Sequence, residues 1–376
     1  MKILYISCRY YPVSGGSERS LMNLARSIKN KGGNVSVLTQ EWKNHPPNTF
    51  VSDIFEYRDE FDTKVTHIPY SFTGEEIIDV KTDHKIRDFV YKHIKSESPS
   101  IVHGNFLNHL TYIASSVANE LKIPYVQTVC GSDVFLFPKQ NIDVYKMSEI
   151  CLNNSSRIIA KSNDLRNALC KDFFIDSEKI TVIPNGVNDL DVFIKHSYGN
   201  YILAVGALRW VKGFDLLAGI SALLQKINSD IKIKIIGEGE DRRQIENYIY
   251  LNNLHNIELL GTRSYSETIN YIANSKFVLS TSHFEGFSNV ILEANALKKT
   301  VIAFDTMGVR NSITNGDTGI LIEYLNLKEY AESINKLFND DPLRERLERA
   351  AYSLVKSSFN WNDISDKIMK EYKKLK

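Results

Sequence analysis

The sequence has few of the features that would mark a secreted, membrane-spanning or metal-binding protein. No apolar run approaches the roughly 18 residues that cross a bilayer, and the opening segment MKILYIS is typical of a β-strand rather than of a signal peptide. The four cysteines form no CxxC pair and show no disulfide-like spacing, and the nine histidines include no HExxH pattern. We therefore expect a cytoplasmic protein that holds no metal ion.

An excess of one charge is also missing. The chain has 46 basic and 45 acidic side chains, which gives a formal net charge of +1. Proteins that bind nucleic acids usually carry a marked basic excess, so we expect no nucleic-acid partner. What the chain does have is length and a balanced composition: 376 residues, of which 43% are hydrophobic and 24% are charged. These values predict a globular protein of two domains.

Short apolar runs alternate with helical patterns along most of the chain, which is typical of parallel βα units. The predicted strands of the first half are KILYIS, NVSVLT, IVHG, YVQTV, RIIA and ITVIP, and after a polar stretch the pattern restarts with YILAVG. We assign residues 1–190 to an N-terminal Rossmann-like domain, residues 198–355 to a C-terminal one, and residues 356–376 to an amphipathic helix. The predicted fold class is α/β, with the two domains facing each other across a deep cleft.

Two glycine-containing turns follow predicted strands and have the composition of anion sites. Gly15 and Gly16 lie between the first strand and a helix, where backbone N–H groups can approach an anion. In the second half, the segment VGALRWVKG contains Gly206, Arg209 and Lys212 directly after a strand. Arginine and lysine are suited to binding phosphate groups. An ordinary βα turn and a solvated basic loop are the alternative interpretations.

The segment EGFSNVILEA is the strongest candidate for a binding site. A predicted strand leads into a loop with Glu285, and a helix begins near Ser288. The first amides of such a helix can bind an anion, while Glu285 and Glu293 can accept hydrogen bonds from sugar hydroxyls. A pair of surface glutamates is the alternative, but the strand–loop–helix context favours a site.

Several blocks together make the sequence resemble the retaining glycosyltransferase family 4, the glycosyl transferases group 1 with the GT-B fold. They are YYPVSGGSERSLMNLA, VIPNGVN, AVGALRWVKGFDLL, IIGEGEDRRQIE, STSHFEGFSNVILEANA and GDTGILI. The family's glutamate–seven residues–glutamate pattern is matched by Glu285 and Glu293. The resemblance covers nearly the whole chain. It implies an N-terminal acceptor-binding domain, a C-terminal nucleotide-sugar-binding domain and a terminal helix that packs back on the N-terminal domain.

The resemblance also implies roles for individual residues. Gly16 and Gly206 would lie against the donor, and Lys212 would contact its diphosphate and offset charge on the leaving group. Glu285 would touch the transferred sugar, and Glu293 would hold the ribose hydroxyls. Further donor contacts would come from the backbone amides of Phe287, Ser288, Asn289 and Val290.

Two positions depart from the family pattern. Ala207 stands where the family often has arginine, and Arg209 is the candidate substitute. Cys130 stands where the family usually has a histidine that contacts the donor sugar. The candidate catalytic residues are therefore Glu285, Lys212, Arg209 and Cys130. The same departures support an alternative function, a catalytically weak or inactive homologue that binds a nucleotide sugar and assists a partner.

The resemblance implies a retaining, metal-independent hexosyltransferase that uses no cofactor. Its donor would be a nucleotide-diphosphate sugar, with UDP-sugars favoured and GDP-mannose next. Its acceptor would be a hydroxyl of a growing glycan, glycolipid or polysaccharide precursor, and peripheral contact with the cytoplasmic face of the inner membrane stays open. A metal site at Asp189 and Asp191 is the alternative for donor binding, but these residues lie in the linker rather than after a strand.

Overall fold

The computed structural model describes residues 1–11, 15–40, 49–50, 55–68, 70–71, 80–188, 190 and 199–375. The contacts within the chain divide it into two compact units. Domain 1 comprises Met1–Asn185 together with Trp361–Lys376, and domain 2 comprises Gly186–Asn360. Each domain has its own sheet and its own apolar core.

Domain 1 alternates strands and helices. The strands are β1 (Lys2–Ser7), β2 (Asn34–Gln40), β3 (Thr49–Phe50), β4 (Phe55–Arg58), β5 (Lys64–Ile68), β6 (Tyr70–Ser71), β7 (Ile101–Asn105), β8 (Tyr125–Val129), β9 (Arg157–Ala160) and β10 (Ile180–Val182). The helices are α1 (Gly16–Asn30), α2 (Val80–Glu97), α3 (His109–Glu120), α4 (Ser132–Phe135), α5 (Phe137–Gln140), α6 (Ile142–Asn154) and α7 (Asn163–Asp172).

The main sheet of domain 1 has the strand order β10-β9-β8-β7-β1-β2-β5-β4. Its strands pair in parallel, except that β4 runs antiparallel to β5 at the edge. The strands β3 and β6 form a separate antiparallel pair. The strand order reverses at β1, which has β2 on one side and β7 on the other. A reversal of this kind opens a ligand crevice at the carboxyl ends of the strands in doubly wound sheets.

Burial explains why the strands of domain 1 are continuous apolar runs. Ile3, Leu4, Tyr5 and Ile6 of β1 are all fully buried, because a central parallel strand is covered by helices on both faces of the sheet. In α1, the helical spacing of the buried apolar residues Leu21, Leu24, Ala25 and Ile28 creates one face that packs on the sheet.

Domain 2 repeats the alternation. The strands are β11 (Tyr201–Val205), β12 (Lys232–Ile236), β13 (Ile257–Gly261), β14 (Val278–Ser280), β15 (Val301–Phe304) and β16 (Ile320–Ile322). The helices are α8 (Phe214–Ile227), α9 (Arg242–Leu251), α10 (Tyr265–Asn274), α11 (Asn289–Ala296), α12 (Leu327–Asn339) and α13 (Asp341–Ser358).

The sheet of domain 2 has the order β13-β12-β11-β14-β15-β16, and its pairings are parallel. The strand order reverses at β11, between β12 and β14. One apolar cluster lies on each face of this sheet, so that side chains of alternate strand positions enter different cores. The reversal at β11 is the point where a ligand crevice is expected.

The last helix, α14 (Trp361–Lys374), belongs to domain 1 although it follows domain 2 in the chain. Its residues Trp361, Ile364, Ile368 and Tyr372 enter the apolar cluster that contains β1 and α1. The hydroxyl of Ser365 lies 2.8 Å from that of Ser27 on α1.

The domain boundaries differ by a few residues from those that the sequence pattern predicts. The first part of domain 1 ends at residue 185 rather than 190, and its terminal part begins at residue 361 rather than 356. The reason is a contact between distant segments, because the Val187 N–H donates to the Phe359 carbonyl oxygen at 2.7 Å. Leu190 also lies in a core of domain 2. Periodicity along the chain cannot show such pairing.

Candidate functional site

A pocket in domain 2 lies at the carboxyl ends of β11 and β14, next to the reversal of the strand order. These two strands are neighbours in the sheet, so the segments that follow them come together. The pocket is lined by Val205, Lys212, Phe214, Leu279, Ser280, Thr281, Ser282, Glu285, Ser288 and Val290. It therefore contains a cation, a carboxylate and several hydroxyl groups within one domain.

An ion pair joins the two charged residues of the pocket. The amine of Lys212 donates to Oε1 of Glu285 at 2.6 Å, and the hydroxyl of Ser282 donates to the same oxygen at 2.9 Å. The side chains of Lys212 and Glu285 are 30% and 13% exposed. In the part of the chain that the structure describes, both of these hydrogen bonds reach Oε1, so the second carboxylate oxygen can accept a hydrogen bond from a ligand hydroxyl.

A short 3₁₀ turn, Trp210–Lys212, brings Lys212 to the pocket and ends at Gly213. Gly213 has a φ of 61°, and a Cβ atom there would lie 2.1 Å from the carbonyl oxygen of Thr281. Only glycine fits this approach between the two loops. The hydroxyl of Thr281 in turn donates to the carbonyl oxygen of Lys212 at 3.1 Å, which fixes the backbone of the lysine.

The backbone of Glu285 is held by the segment that follows β15. The Glu285 N–H donates to the Met307 carbonyl oxygen at 2.9 Å. Gly308, with a φ of 76°, lies so close that a Cβ atom would be 1.8 Å from the Glu285 carbonyl oxygen. The hydroxyl of Thr306 donates to the carbonyl oxygen of Ser282 at 3.0 Å. The carboxylate is thus positioned by two loops from adjacent strands.

The N-terminus of α11 forms another part of the pocket wall. The helix begins at Asn289, and Ser288 is its N-cap, without a hydrogen bond from the Ser288 side chain to the first amides. The amides of a first helical turn have no partners within the helix and favour a negative charge nearby. Ser288 and Val290 line the pocket, so these amides lie where an anionic group can bind.

The structure brings together only some of the predicted site residues. Lys212, Glu285, Ser288 and Val290 line the pocket, whereas Arg209, Gly206, Phe287, Asn289 and Glu293 are not among its lining residues. The Phe287 ring is buried in a core of domain 2, with its centroid 5.5 Å from that of Phe359.

The remaining members of the predicted set lie beside the pocket. Arg209 is exposed and precedes the 3₁₀ turn, and its carbonyl oxygen accepts a hydrogen bond from the Lys212 N–H at 2.8 Å. The Gly206 N–H donates to the Ile236 carbonyl oxygen at 3.0 Å. Asn289 and Glu293 are half-buried on α11. Their assigned ligand contacts stay predictions.

In domain 1, the predicted site residues lie after β1 and β8. Gly16 is the exposed first residue of α1, and the carboxylate of Glu18 folds against Gly15, where a Cβ atom would be 2.3 Å from Oε2. Cys130 follows β8, and its thiol lies 3.8 Å from Oδ1 of Asn105. Burial raises the pKa of the Cys130 thiol, so the group is a weak hydrogen-bond donor rather than a nucleophile.

The backbone around Cys130 is held by the buried Asp133. Its carboxylate accepts hydrogen bonds from the amides of Leu107 at 2.9 Å, Cys130 at 3.0 Å and Gly131 at 2.7 Å. Burial raises the pKa of Asp133 to about 6, although these bonds oppose the shift. Asp133 therefore supports the loop that carries Cys130.

The residue pattern missed part of the polar site. Ser282 and Thr281 line the pocket and bond to the site residues. The signal that could have identified them is their position three and four residues before Glu285. Asp189 and Asp191 lie outside the described residues. Within the described ranges, no group of three His, Cys, Asp or Glu side chains is placed to hold a metal ion, and no helix has the length and apolarity that crossing a membrane requires.

The chain has two Rossmann-like domains, and domain 2 has a Lys–Glu pair and a helix N-terminus at the carboxyl ends of its strands. These features indicate a class of protein, which comparison with known families identifies. Residues 14–189 match the family model for Glycosyltransferase Family 4, and residues 191–354 match that for Glycosyl transferases group 1. The chain therefore belongs to the group 1 glycosyltransferases of family 4, and the predicted GT-B fold class is confirmed.

Individual relatives agree with this assignment. An uncharacterized glycosyltransferase of Methanocaldococcus jannaschii, MJ1178, is 29% identical over 375 residues, which cover 100% of this chain and 99% of the relative. The capsular polysaccharide biosynthesis glycosyltransferase CapM of Staphylococcus aureus is 28% identical over 66% of this chain and 67% of its own. The structure of Anabaena Alr3699/HepE in complex with UDP has the same fold, with a TM-score of 0.77, 17% identity and coverage of 100% of both chains.

Proposed function

We propose that this glycosyltransferase transfers a sugar, with retention of anomeric configuration and without a metal ion, from a nucleotide-diphosphate sugar to a hydroxyl group. The favoured donor is a UDP-sugar, and GDP-mannose is the next candidate. The acceptor is a growing glycan, a glycolipid or a polysaccharide precursor, and the reaction takes place in the cytoplasm. A peripheral contact with the membrane belongs to the same proposal if the acceptor is lipid-linked.

The observation that carries the proposal is the pairing of Lys212 with Glu285 in the pocket of domain 2. A donor diphosphate develops negative charge as its bond to the sugar breaks, and a nearby ammonium group stabilises that charge. The amides at the start of α11 add partial positive charge at the same place. When Lys212 binds the diphosphate, it no longer pairs with Glu285. The Glu285 carboxylate can then accept hydrogen bonds from the hydroxyls of the transferred sugar.

Retention by front-face attack fits the same residues. Glu285 is the one carboxylate among the pocket-lining residues, and it is held by Lys212 and Ser282. A carboxylate with these two bonds is a weaker nucleophile than a free one. We therefore assign proton acceptance from the attacking hydroxyl to a phosphate oxygen of the donor, with the leaving group stabilised by Lys212.

The comparisons support the choice of donor and the class of acceptor. HepE binds UDP in a structure of the same fold, and the relative CapM belongs to capsular polysaccharide biosynthesis. UDP-sugars are accordingly the first donors to test, and saccharide hydroxyls are the first acceptors.

The test is a calorimetric and thermal-shift screen of UDP, GDP, ADP and CMP with the intact protein and with Lys212→Ala. A nucleotide at 100 times its dissociation constant stabilises the folded state by about 2.7 kcal/mol. We expect one nucleoside diphosphate to bind the intact protein and to bind the variant at least about 10-fold more weakly, the effect of losing one charge-assisted contact. If no nucleotide binds well-folded protein, the proposal is wrong, whereas binding of a nucleotide sugar without transfer favours the inactive homologue.

Transfer assays in excess EDTA test the metal-independent part. Full activity is the expected result. If activity is lost and added Mg²⁺ or Mn²⁺ restores it, charge stabilisation by Lys212 alone is contradicted. That result would favour a metal site at Asp189 and Asp191.

A further inference from the structure

A buried lysine in domain 1 has no role in the site described above. Lys161 directly follows β9, and only 6% of its surface is exposed. Burial of an ammonium group is unfavourable unless a carboxylate or several acceptors compensate its charge. The fold therefore maintains a costly group at the carboxyl end of a strand, where Rossmann-like domains place their ligands.

The strand register places Lys161 beside Cys130. Val129 of β8 pairs with Ala160 of β9, so Cys130 and Lys161 are the next residues along two neighbouring parallel strands. Asn105, at the end of the adjoining strand β7, approaches the Cys130 thiol. Three strand ends thus bring an amine, a thiol and an amide to one edge of the sheet.

The amine of Lys161 has no hydrogen bond or ion pair to any of the residues that the structure describes. Two carboxylates, those of Asp133 and Glu18, lie near Cys130, and neither of them bonds to Lys161. Asp133 accepts hydrogen bonds from backbone amides, and Glu18 folds against Gly15. Lys179 of the same domain shows the usual arrangement, because its amine donates to the carbonyl oxygens of Leu152 and Asn153 at 3.1 and 2.7 Å.

None of the described residues near Lys161 gives its amine a bonded countercharge. Burial lowers the pKa of Lys161 itself. Burial, with a smaller effect of the Lys161 charge, lowers the pKa of His103 to about 3, so this histidine is neutral at pH 7. The Cys130 thiol also stays protonated at that pH. When it is protonated, the Lys161 amine therefore has no bonded anionic partner among the described residues.

We propose that Lys161 is the binding residue of an anion site at the carboxyl ends of β8 and β9, next to Cys130 and Asn105, which takes a phosphate or carboxylate group of a substrate. This inference rests on the proposed function, because the anionic group would come from a substrate of the transfer reaction. Two sources have this chemistry: the diphosphate of the donor, and an acidic group of the acceptor. A bound anion supplies the bonded countercharge that the Lys161 amine lacks among the described residues.

The first experiment compares Lys161→Met with the intact protein and with Lys171→Met, a control for an exposed lysine on α7. Methionine keeps the length and apolar stem but removes the charge. We expect Lys161→Met to raise the melting temperature of the unliganded protein, because an uncompensated buried charge is removed. A lower melting temperature would show that the lysine has a structural role, and it would overturn the proposal.

Binding is measured in the Lys212→Ala background, in which the phosphate contact of domain 2 is removed. The probes are inorganic pyrophosphate, inorganic phosphate and D-glucuronate, with D-glucose as the neutral control. We expect at least one anion to bind, and Lys161→Met to weaken its binding at least about 10-fold, the loss of a charge-assisted contact, while Lys171→Met leaves it unchanged. Equal binding by all three proteins, or no binding of any anion, would overturn the proposal.

A third measurement uses the intact protein and does not depend on a variant. The rate at which a water-soluble acylating reagent modifies each lysine is followed by peptide mass spectrometry. We expect the anion that binds to slow modification of Lys161 at least about 10-fold, as a ligand present at about 10 times its dissociation constant would, without changing the rate at Lys171. Modification of Lys161 that no anion slows would count against the site.

The probes also separate the two sources and the two proposals. Protection of Lys161 by UDP and pyrophosphate assigns the site to the donor, whereas protection by phosphate or glucuronate without UDP assigns it to the acceptor. If UDP binds through Lys212 but no anion protects Lys161, the proposed function stands and this inference fails. If an anion protects Lys161 but no nucleotide binds, the anion site stands and the proposed donor fails.

Discussion

At the scale of single residues, Lys212 and Glu285 show how far motif spacing can define a site. The spacing predicts that each residue follows a strand of domain 2, and the structure places both in one pocket. Their ion pair was not predictable, because the residues are 73 positions apart and meet only through the pairing of β11 with β14. The sequence indicates candidate site residues, and the pairing of strands in the sheet determines which of them touch.

We predict that Lys212→Ala and Glu285→Ala each reduce the rate of transfer at least about 100-fold, a typical cost of losing one group that stabilises charge in the transition state. Each variant should stay folded but lose stability, because the pair is only 30% and 13% exposed and removing one partner of a buried pair costs about 3–5 kcal/mol. Initial rates and melting temperatures check both statements. The control is Lys226→Ala, an exposed lysine at the end of α8, and rates within threefold of the intact enzyme for both site variants would refute the assignment.

Gly308 allows a second prediction at this scale. Gly308→Ala should lower transfer at least about 10-fold, because the new Cβ atom would press on the Glu285 carbonyl oxygen and a misplaced catalytic group costs up to about 100-fold. Gly316 is a matched control. It has nearly the same positive φ, but no atom lies within 4 Å of an added Cβ. Gly316→Ala should therefore cost about 1 kcal/mol of stability and leave the kinetics unchanged. Equal kinetic effects of both variants would show that backbone strain, and not the contact with Glu285, is responsible.

At the scale of elements, periodicity predicted α14 but not the groups that fix it to domain 1. The apolar residues of its buried face were visible in the sequence, as were the central parallel strands. The polar contacts were not. Tyr372 bonds to the Tyr5 hydroxyl at 2.9 Å and to Nδ1 of His103, whose Nε2 lies 2.7 Å from the Thr128 hydroxyl. A buried polar network of this kind joins residues of four elements, β1, β7, β8 and α14, and no local sequence pattern indicates it.

The edge of the domain 1 sheet was also missed. The strands β4 and β5 pair antiparallel at the edge, and their sequences FEYR and KVTHI mix polar and apolar residues. The edge strand β4 is covered less completely than a central one, and the buried strand β5 contains the polar residues Thr66 and His67. Both strands therefore lack the continuous apolar run by which the other strands were recognised.

The network around His103 predicts how acid affects the stability of domain 1. Burial lowers the pKa of His103 from 6.5 to about 3, so the unfolded chain takes up a proton at a pH where the folded protein does not. The stabilisation by neutral His103 is complete above pH 6.5 and is lost as the pH falls towards 3.

This effect is measured by denaturant titration of the intact protein and of His103→Gln between pH 7 and pH 5. The difference in the free energy of unfolding between the two proteins should change by up to about 1.4 kcal/mol per pH unit below pH 6.5, with the intact protein losing more stability. His84→Gln, on an exposed position of α2, is the control and should follow the intact protein. Parallel curves for His103→Gln and the intact protein would contradict the lowered pKa.

At the scale of the whole molecule, the two-domain organisation follows from the restart of the βα pattern, whereas the exact boundaries do not. Val187 and Asn360 pair although they are far apart in sequence, so the chain enters and leaves domain 2 at adjacent positions. The hydrophobic pattern of the sequence places the domain junction in the polar stretch, a few residues from the pairing of Val187 with Asn360 that defines it.

Removal of residues 361–375 should therefore damage the first domain and spare the second. The deletion takes Trp361, Ile364, Ile368 and Tyr372 from the core around β1, and each large apolar side chain lost from a core costs about 2–5 kcal/mol. Amide hydrogen exchange should show lost protection in β1, β2 and β7, with protection retained in β11 and β12. Lys367→Ala, an exposed position of α14, should change neither domain. Uniform loss of protection would show that the domains unfold as one unit.

The return of α14 to domain 1 also has a consequence for biosynthesis. A ribosome adds about 5–20 residues per second. The segment from residue 186 to α14 therefore takes roughly 10–40 s to synthesise, and during this time domain 1 lacks its last core residues. Domain 2 can fold as soon as Asn360 has left the exit tunnel, before the core of domain 1 is complete. The nascent first domain meanwhile exposes the apolar surface that Trp361 and Ile368 will cover, which makes it a natural substrate for chaperones that act during translation.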